Sequence, residues 1–356
     1  MNPLATLGWN SDRAAEFAAL EREDLVPARV AAAHRGRLDL LAARGPIAAS
    51  LAGRLRHAAT SPVDLPAVGD WVAVDPDGGI VHAVLPRRGG IARAAADGKS
   101  EAQVLAANVD VALVLGSLNR DLSVRRLERM LTLAADARAD AVVVLSKADL
   151  DPDPPARVAD VRLALGATVP VLALSVHAGT GLEALEGWLR PGVTTVLLGS
   201  SGVGKTTLLN ALTGGPPRRT APIRESDDRG RHATSHRELV PLASGALVID
   251  TPGLRLPRVW EQAGGLETAF SDVVTLARRC RFTDCRHAGE PGCAVAAAVA
   301  DGRLPADRYA GLVKLERERE RIEARRDARA RAEAGRKART SQKALRRRLA
   351  EKAGRD

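Results

Sequence analysis

Two short motifs occur in this sequence in the reverse of their usual order, and that order restricts the fold more than any other feature. Ser146-Lys147-Ala148-Asp149 has the pattern of a loop that reads a guanine base. The pattern of a phosphate-binding loop (P-loop) follows it at 199–206. Ordinary GTPases carry the P-loop first. The reversed order predicts a circularly permuted α/β P-loop GTPase domain.

The P-loop lies in the sequence context that its chemistry requires. The apolar run Thr194–Leu198 predicts a buried strand before it, and Thr207–Leu212 predicts a helix after it. Backbone N–H groups of such a loop bind phosphate oxygens. Lys205 is expected to reach the β- and γ-phosphates, and the Thr206 hydroxyl to bind Mg²⁺. The predicted nucleotide-binding residues here are Gly199, Ser200, Ser201, Gly202, Val203, Gly204, Lys205, Thr206 and Thr207.

A second phosphate-facing segment, Asp250-Thr251-Pro252-Gly253, follows a predicted strand that ends at Ile249. We expect Asp250 to hold Mg²⁺ through water and the Gly253 N–H to contact the γ-phosphate; a plain turn is the alternative. Leu254 follows, where many GTPases have the Gln that orients the attacking water. Another group must therefore position that water.

The segment 216–235, rich in Pro, Arg, Asp and Gly, predicts a switch loop that the γ-phosphate orders. Thr234 is a predicted Mg²⁺ ligand, with an ordinary loop threonine as the alternative. His232 is a predicted catalytic group facing the water. The alternative is an exposed, solvated histidine.

The base-reading loop predicts a preference for guanine. Asp149 can accept hydrogen bonds from guanine N1–H and the exocyclic amine, a pair that adenine does not present. Lys147 is expected to lie along the base. Ser146 occupies the usual position of Asn and cannot reproduce the contacts of a carboxamide. Ser175 and Val176, after the next predicted strand, fit the loop whose backbone touches guanine O6.

A cluster of potential metal ligands lies near the C-terminus. Three thiols and one imidazole fall within a short segment, and they include every cysteine of the protein: Cys280, Cys285, His287 and Cys293. Four such ligands predict one closed, tetrahedral, structural zinc site. Unligated cysteines beside a chance histidine are the alternative, and three crowded cysteines do not favour a disulfide framework.

The pattern of apolar runs predicts several domains. Short runs broken by Gly, Pro and Asp turns indicate a small β-barrel of the oligonucleotide-binding (OB) kind, or an unrelated small β domain. Alternating strands and helices then indicate a parallel α/β sheet, with Ser123 capping a helix. The predicted divisions are a variable leader (1–24), the barrel (25–100), the permuted GTPase domain (101–262), the zinc-binding domain (263–313) and a basic helical tail (314–356).

The charge is concentrated in the tail. The whole chain carries +10, and residues 314–356, with 17 Lys/Arg and 8 Asp/Glu, carry +9 of it. Such a tail favours an anionic partner, nucleic acid before membrane, because it lacks a bulky apolar face. No apolar run has membrane-spanning length and no signal peptide pattern opens the chain, so we expect a cytoplasmic protein without a membrane partner.

Taken together, these residues resemble the RsgA (YjeQ) family of ribosome small-subunit-dependent GTPases over about 26–315. The resemblance rests on the permuted motif order and on Val68-Gly69-Asp70-Trp71-Val72, Asn108-Val109-Asp110, Gly230-Arg231-His232, Cys280-Arg-Phe-Thr-Asp-Cys285-Arg-His287 and Glu290-Pro-Gly-Cys293. It implies an N-terminal OB barrel, a central permuted GTPase domain and a C-terminal α-helical zinc-binding domain. In this family a switch-loop histidine is implicated in hydrolysis, and His232 matches it.

The resemblance also implies a function. The chain would bind the small ribosomal subunit and its rRNA and hydrolyse GTP to GDP during late subunit maturation, with hydrolysis stimulated by the subunit and driving release. We also expect the protein to be a monomer. Two residues depart from the family pattern: Ser146 replaces the usual Asn, and Ala233 stands where Thr is common, with Thr234 directly after it. Two other functions stay open, namely a non-hydrolysing RNA-binding scaffold that uses GTP only as a ligand, and a P-loop ATPase or kinase.

Overall fold

The computed structural model describes residues 3–93, 103–119, 121–166, 168–214, 237–251, 264–324, 328 and 331. Short 3₁₀ helices within these ranges lie at Ala5–Leu7, Pro62–Asp64, Ala148–Leu150 and Glu183–Leu185. No helix of the described residues is both long and apolar enough to cross a membrane.

The N-terminal part is a closed five-stranded barrel, which confirms the barrel prediction. Its strands are β1 (Val26–His34), β2 (Arg37–Ala42), β3 (Gly45–Leu51), β4 (Trp71–Val74) and β5 (Ile80–Val84). They follow the order β1-β2-β3-β5-β4, and β4 pairs again with β1 to close the barrel. Inward-facing aliphatic side chains such as Val30, Leu40, Val72 and Val81 fill its interior.

Two helices and a hairpin accompany the barrel and lead to the next layer. Helix α1 (Ser11–Ala18) lies in the predicted leader, whose Trp9 packs edge-on against Trp71 at 4.7 Å between ring centroids. Helix α2 (Gly53–Ala58) follows β3, and the hairpin β6 (Gly90–Arg93) and β7 (Gln103–Ala107) forms a separate two-stranded sheet.

The central part is the predicted parallel α/β sheet. Its strands are β8 (Val111–Ser117), β9 (Asp140–Ser146), β10 (Val171–Ala173), β11 (Thr194–Leu198), β12 (Glu238–Pro241) and β13 (Leu247–Asp250). They lie in the order β10-β9-β8-β11-β13-β12, with only β12 antiparallel. Strands β8 and β11 are buried along their whole length, as expected for a sheet covered on both faces.

Three helices pack on this sheet: α3 (Val124–Asp136), α4 (Pro154–Leu165) and α5 (Lys205–Thr213). The apolar residues of α3 at helical spacing are buried, namely Leu127, Met130, Leu131 and Ala134. Ser123 occupies the predicted N-cap position, but its side chain makes no capping hydrogen bond.

The barrel and the central sheet join in one eleven-stranded sheet, because Ala32 of β1 pairs with Glu238 of β12. A buried arginine reinforces this junction. Arg29 of β1 donates to the Thr194 hydroxyl at the start of β11 (2.7 Å) and to the Leu7 carbonyl of the leader. Burial lowers the pKa of Arg29 to about 10, so this guanidinium remains charged at neutral pH.

The C-terminal part is α-helical. Helices α6 (Gly265–Ala269), α7 (Ser271–Ala277), α8 (Ala294–Ala300) and α9 (306–324) enclose a small core around Phe270, Val273 and Val295. A buried ion cluster holds this part against α3. Arg308 donates to Glu128 of α3 (3.1 Å) and to Asp272 of α7 (3.0 Å), and its guanidinium lies 4.0 Å from the Phe270 ring centroid.

A buried carboxyl group lies at the same contact. Asp136, at the end of α3, is 8% exposed and accepts a hydrogen bond from the Gly265 backbone N–H. Its Oδ2 atom has no hydrogen-bond partner among the described residues. Burial raises the pKa of Asp136 from 3.8 to about 7, although the Gly265 bond opposes the shift.

We predict that Asp136→Asn stabilises the protein at pH 8 more than at pH 5.5. The folded state keeps a proton on Asp136 that the unfolded chain loses, so folding stability falls as the pH rises from 3.8 to about 7. The amide removes this penalty, which is at most about 4 kcal/mol. Thermal unfolding midpoints at both pH values measure it, and the exposed Asp77→Asn is the control. An equal shift at both pH values would contradict the prediction.

Candidate nucleotide and metal sites

The permuted motifs meet at one edge of the central sheet. Strands β9 and β11 both run parallel to β8, which lies between them, so the loops that follow them emerge on the same side. Strand β13 lies beside β11 with the same direction and ends at Asp250. The base loop (146–149), the P-loop (199–206) and residues 250–251 are thus neighbours in space although the base loop precedes the P-loop in the sequence.

The P-loop turns tightly between β11 and α5. Gly202 and Gly204 adopt φ angles of 77° and 105°, which strongly favour glycine. A Cβ on Gly199 would lie 2.7 Å from Val203 Cγ1, so the loop also needs glycine at its first position. Helix α5 begins at Lys205 and directs its N-terminal N–H groups toward the space above the loop.

Lys205 lies in the floor of this loop. Its Nζ donates to the carbonyls of Gly199 (2.7 Å) and Ser200 (2.8 Å). Burial lowers the pKa of Lys205 to about 8, and the nearby Asp250 carboxylate opposes the shift. An ammonium group with so little hydration is suited to pair with phosphate oxygens.

Residues 250–251 are anchored to the strand that precedes the P-loop. Asp250 is 2% exposed at the end of β13, and the Thr251 hydroxyl donates to the Leu197 carbonyl at 2.6 Å. A buried carboxylate beside Lys205, with the Thr206 hydroxyl in the first turn of α5, is the hard-oxygen donor set that Mg²⁺ prefers. These residues therefore fit the predicted magnesium site.

Ser146 connects the base loop to the P-loop. Its side chain is buried, and its hydroxyl lies 2.6 Å from the Val203 carbonyl and 3.0 Å from the Gly116 carbonyl. A hydroxyl has one proton to donate, and both neighbours are acceptors. The single hydroxyl proton of Ser146 is therefore donated to a backbone carbonyl. We conclude that Ser146 retains a link to the P-loop without offering a donor to a base.

The rest of the base loop is ordered by the following loop. Ser175 is buried, and its hydroxyl donates to Asp149 Oδ1 and accepts from the Ala178 N–H at 3.0 Å. The Ser175 hydrogen bond holds the pKa of Asp149 below its usual value, so this carboxyl is an ionised acceptor. Lys147, with a left-handed φ of 58°, donates from Nζ to the Gly202 carbonyl at 3.0 Å. Val176 follows Ser175 and is half-buried.

Three predicted site residues lie outside the described residues. These are the Mg²⁺ ligand Thr234, the catalytic group His232 and the γ-phosphate contact Gly253.

The predicted metal ligands come together in the C-terminal part. One ligand atom from each of Cys280, Cys285, His287 and Cys293 lies within 4.8 Å of all the others. His287 Nδ1 lies 3.5 Å from Cys280 Sγ and 3.4 Å from Cys293 Sγ. Ligands on a tetrahedral zinc ion stand about 3.8 Å apart, given Zn–S bonds of about 2.3 Å. The cluster therefore fits a four-coordinate metal ion.

Known proteins are similar in sequence to most of this chain. The family model described as RsgA GTPase matches residues 84–260. A protein of Opitutus terrae named "Small ribosomal subunit biogenesis GTPase RsgA" is 46% identical over 329 residues, covering 88% of this chain and 89% of that protein. The protein of the same name from Streptomyces avermitilis is 44% identical, covering 93% and 90%. The chain belongs to the RsgA GTPase family.

Solved structures agree with this membership. YjeQ from Thermotoga maritima superposes with a TM-score of 0.61 at 27% identity, covering 82% of this chain and 97% of that chain. YloQ, described as a circularly permuted GTPase, superposes with a TM-score of 0.57 at 25% identity, covering 84% and 96%. This RsgA family member is therefore a GTP hydrolase with the permuted fold that its motif order predicts.

We predict that Ser146→Ala weakens nucleotide binding in this RsgA family member by about 5- to 20-fold. The loss leaves a buried P-loop carbonyl without its donor, a cost of about 1–2 kcal/mol. Titration with a fluorescent GDP analogue measures the affinity. Ser117→Ala is the matched control, because Ser117 pairs with Ser146 across β8 and β9 and its buried hydroxyl has no partner among the described residues. Equal affinities of the two variants would show that the Ser146–Val203 hydrogen bond does not support nucleotide binding.

We predict that Cys285→Ser abolishes stoichiometric metal binding, because a hydroxyl is a poor replacement for one of four soft ligands. The wild type should carry one metal ion per chain by elemental analysis. The exposed neighbour Asp284→Asn serves as the control and should retain the metal. Full metal occupancy in Cys285→Ser would show that the thiol is not a ligand.

Proposed function

We propose that this protein binds the small ribosomal subunit and hydrolyses GTP during late subunit maturation. We further propose that the subunit stimulates hydrolysis and that hydrolysis drives release. The observation that carries the proposal is the match over nearly the whole chain to relatives named as small ribosomal subunit biogenesis GTPases. The meeting of base loop and P-loop at one sheet edge supports the choice of a guanine nucleotide.

The predicted site residues have separate roles in binding and hydrolysing GTP. Asp149, ionised and held by Ser175, accepts from guanine N1–H and the exocyclic amine, and the backbone of 175–176 meets guanine O6. The P-loop N–H groups and Lys205 bind the phosphates. When bound, Mg²⁺ would neutralise charge on the β- and γ-phosphate oxygens. Thr206 and Asp250 would hold it together with Thr234, the Gly253 N–H would contact the γ-phosphate, and His232 would position the attacking water.

The metal cluster has a structural role in this proposal. Four protein ligands leave no coordination position for a substrate or water, so the site orders the loop between α7 and α8. We propose zinc as the ion, because three thiolates and an imidazole favour it over harder cations.

The partner chemistry follows from charge. The basic tail, 314–356, binds rRNA mainly through phosphates, so affinity should fall steeply with salt. The barrel (25–100) and the zinc-binding domain (263–313) also contact rRNA. In the sequence they lie on either side of the permuted domain (101–262), and the leader (1–24) precedes the barrel. The protein acts as a cytoplasmic monomer, releases GDP after hydrolysis and has no membrane partner.

The proposal is tested by GTP and ATP hydrolysis of purified protein with and without small ribosomal subunits. We expect stimulation of GTP hydrolysis by more than about tenfold, because the partner must complete a site that lacks the usual Gln. ATP turnover should stay low, because adenine offers Asp149 no donor pair.

Large ribosomal subunits serve as the control and should not stimulate. Equal GTP turnover with and without small subunits would refute the proposed stimulation of hydrolysis by the subunit. Multiple-turnover phosphate release separates the enzyme from a scaffold that only binds GTP.

A further inference from the structure

The loop that carries the metal ligands also exposes an aromatic ring. Phe282 lies between the ligands Cys280 and Cys285 and is 45% exposed. Of the Phe, Trp and Tyr side chains that the structure describes, it is the only exposed one. The others pack into cores or are half-buried, such as Trp71 and Phe270.

The backbone around Phe282 is fixed at several points. Its carbonyl accepts from the Cys285 N–H at 3.4 Å, which closes a turn between the two ligands. The neighbouring Arg281 N–H donates to the Gly292 carbonyl at 3.1 Å. A Cβ on Gly292 would lie 2.9 Å from Arg281 Cβ, so the two segments are in close contact. The ring is thus presented by an ordered turn.

Arginines are concentrated around the ring, with one exposed acidic residue, Asp284, in the same turn. The Arg281 guanidinium carbon lies 5.5 Å from the Phe282 ring centroid, within the range of a cation–π contact. Three more exposed arginines, Arg278, Arg279 and Arg286, flank the same turn. Within the described part of the chain, no ion pair engages any of these four guanidinium groups.

An exposed ring among free arginines is the surface that an unpaired nucleic-acid base fits. Bases stack on aromatic faces and on guanidinium planes, while neighbouring arginines bind the adjacent phosphates. A protein partner would more often bury a larger apolar patch, which these exposed cations do not provide. Duplex RNA offers no unstacked base to the ring.

We infer that Phe282 is a stacking platform for an unpaired RNA base, with Arg281 beside it and Arg278, Arg279 and Arg286 holding the flanking phosphates. The inference rests on the proposed RNA partner and names the element that contacts a base. It also gives the metal cluster a further role, because the ligands on both sides of Phe282 hold the turn that presents the ring.

The test uses the full-length protein and RNA hairpins with a single-stranded loop that contains 2-aminopurine, together with a fully paired duplex of the same length. Phe282→Ala should weaken hairpin binding by roughly 5- to 100-fold, the usual effect of losing one stacked base. It should also abolish the 2-aminopurine fluorescence change. Phe282→Trp should preserve both, and duplex binding should be the same in all variants.

Two controls separate a local effect from misfolding. Leu163→Ala removes another exposed apolar side chain, 67% exposed on α4, and should bind the hairpin as the wild type does. Elemental analysis should give the same metal content in every variant.

Wild-type affinity in Phe282→Ala would overturn the inference and leave the proposed function intact. The inference would also fall if Phe282→Ala bound RNA normally but bound the whole subunit weakly, since the ring would then contact a protein. If the wild type bound neither RNA nor the subunit, both proposals would fail.

Discussion

The register of three parallel strands is the constraint on which the rest of this structure depends. Strand β8 pairs with β9 on one side and β11 on the other, so the loops after β9 and β11 leave the same edge. The 2.6 Å hydrogen bond from Ser146 to the Val203 carbonyl then joins them. Chain connectivity contributes nothing to this contact, which is why a permuted sequence can build the same nucleotide site as an ordinary one.

The permutation places the additional parts of the chain at the ends of the nucleotide-binding unit. The barrel joins the sheet through β1 and β12 and through the buried Arg29, and the helical part joins α3 through the buried Arg308. Both guanidinium groups can be buried only because each donates hydrogen bonds to several acceptors. Their removal would strand buried acceptors, so these ionic contacts specify how the parts are joined more than they add net stability.

The sequence was a good guide wherever the signal was local. The P-loop strand and helix, the apolar face of α3 and the metal ligands all follow from residue type and spacing. Strand β3 carries only a weak local signal, because Gly45 and Pro46 open it and small residues follow, a composition that is poor in strand formers. The Arg308–Glu128 pair was missed. Its members are 180 residues apart in the chain, and no local pattern encodes such a pairing.

Ser146 shows what residue type alone leaves open. Compared with the usual Asn, a serine is expected to weaken guanine binding, and its hydroxyl indeed has no donor left for a base. Its position adds what the motif could not: the serine keeps the contact with the P-loop. In our proposal, guanine selection depends on Asp149, which is held by a residue of the following loop, Ser175.

Asp250 and Gly265 stand on either side of residues 252–263, and each is held by contacts of the described structure. Asp250 lies beside Lys205, and Gly265 begins α6 against α3. A Cβ on Gly265 would lie 2.0 Å from Asp136 Oδ1, so only glycine permits this approach. In the sequence, only residues 252–264 separate residues 250–251 from α6. Since α6 belongs to the same core as the metal-binding loop, the permuted chain gives the phosphate site a direct covalent path to the part that we propose meets RNA.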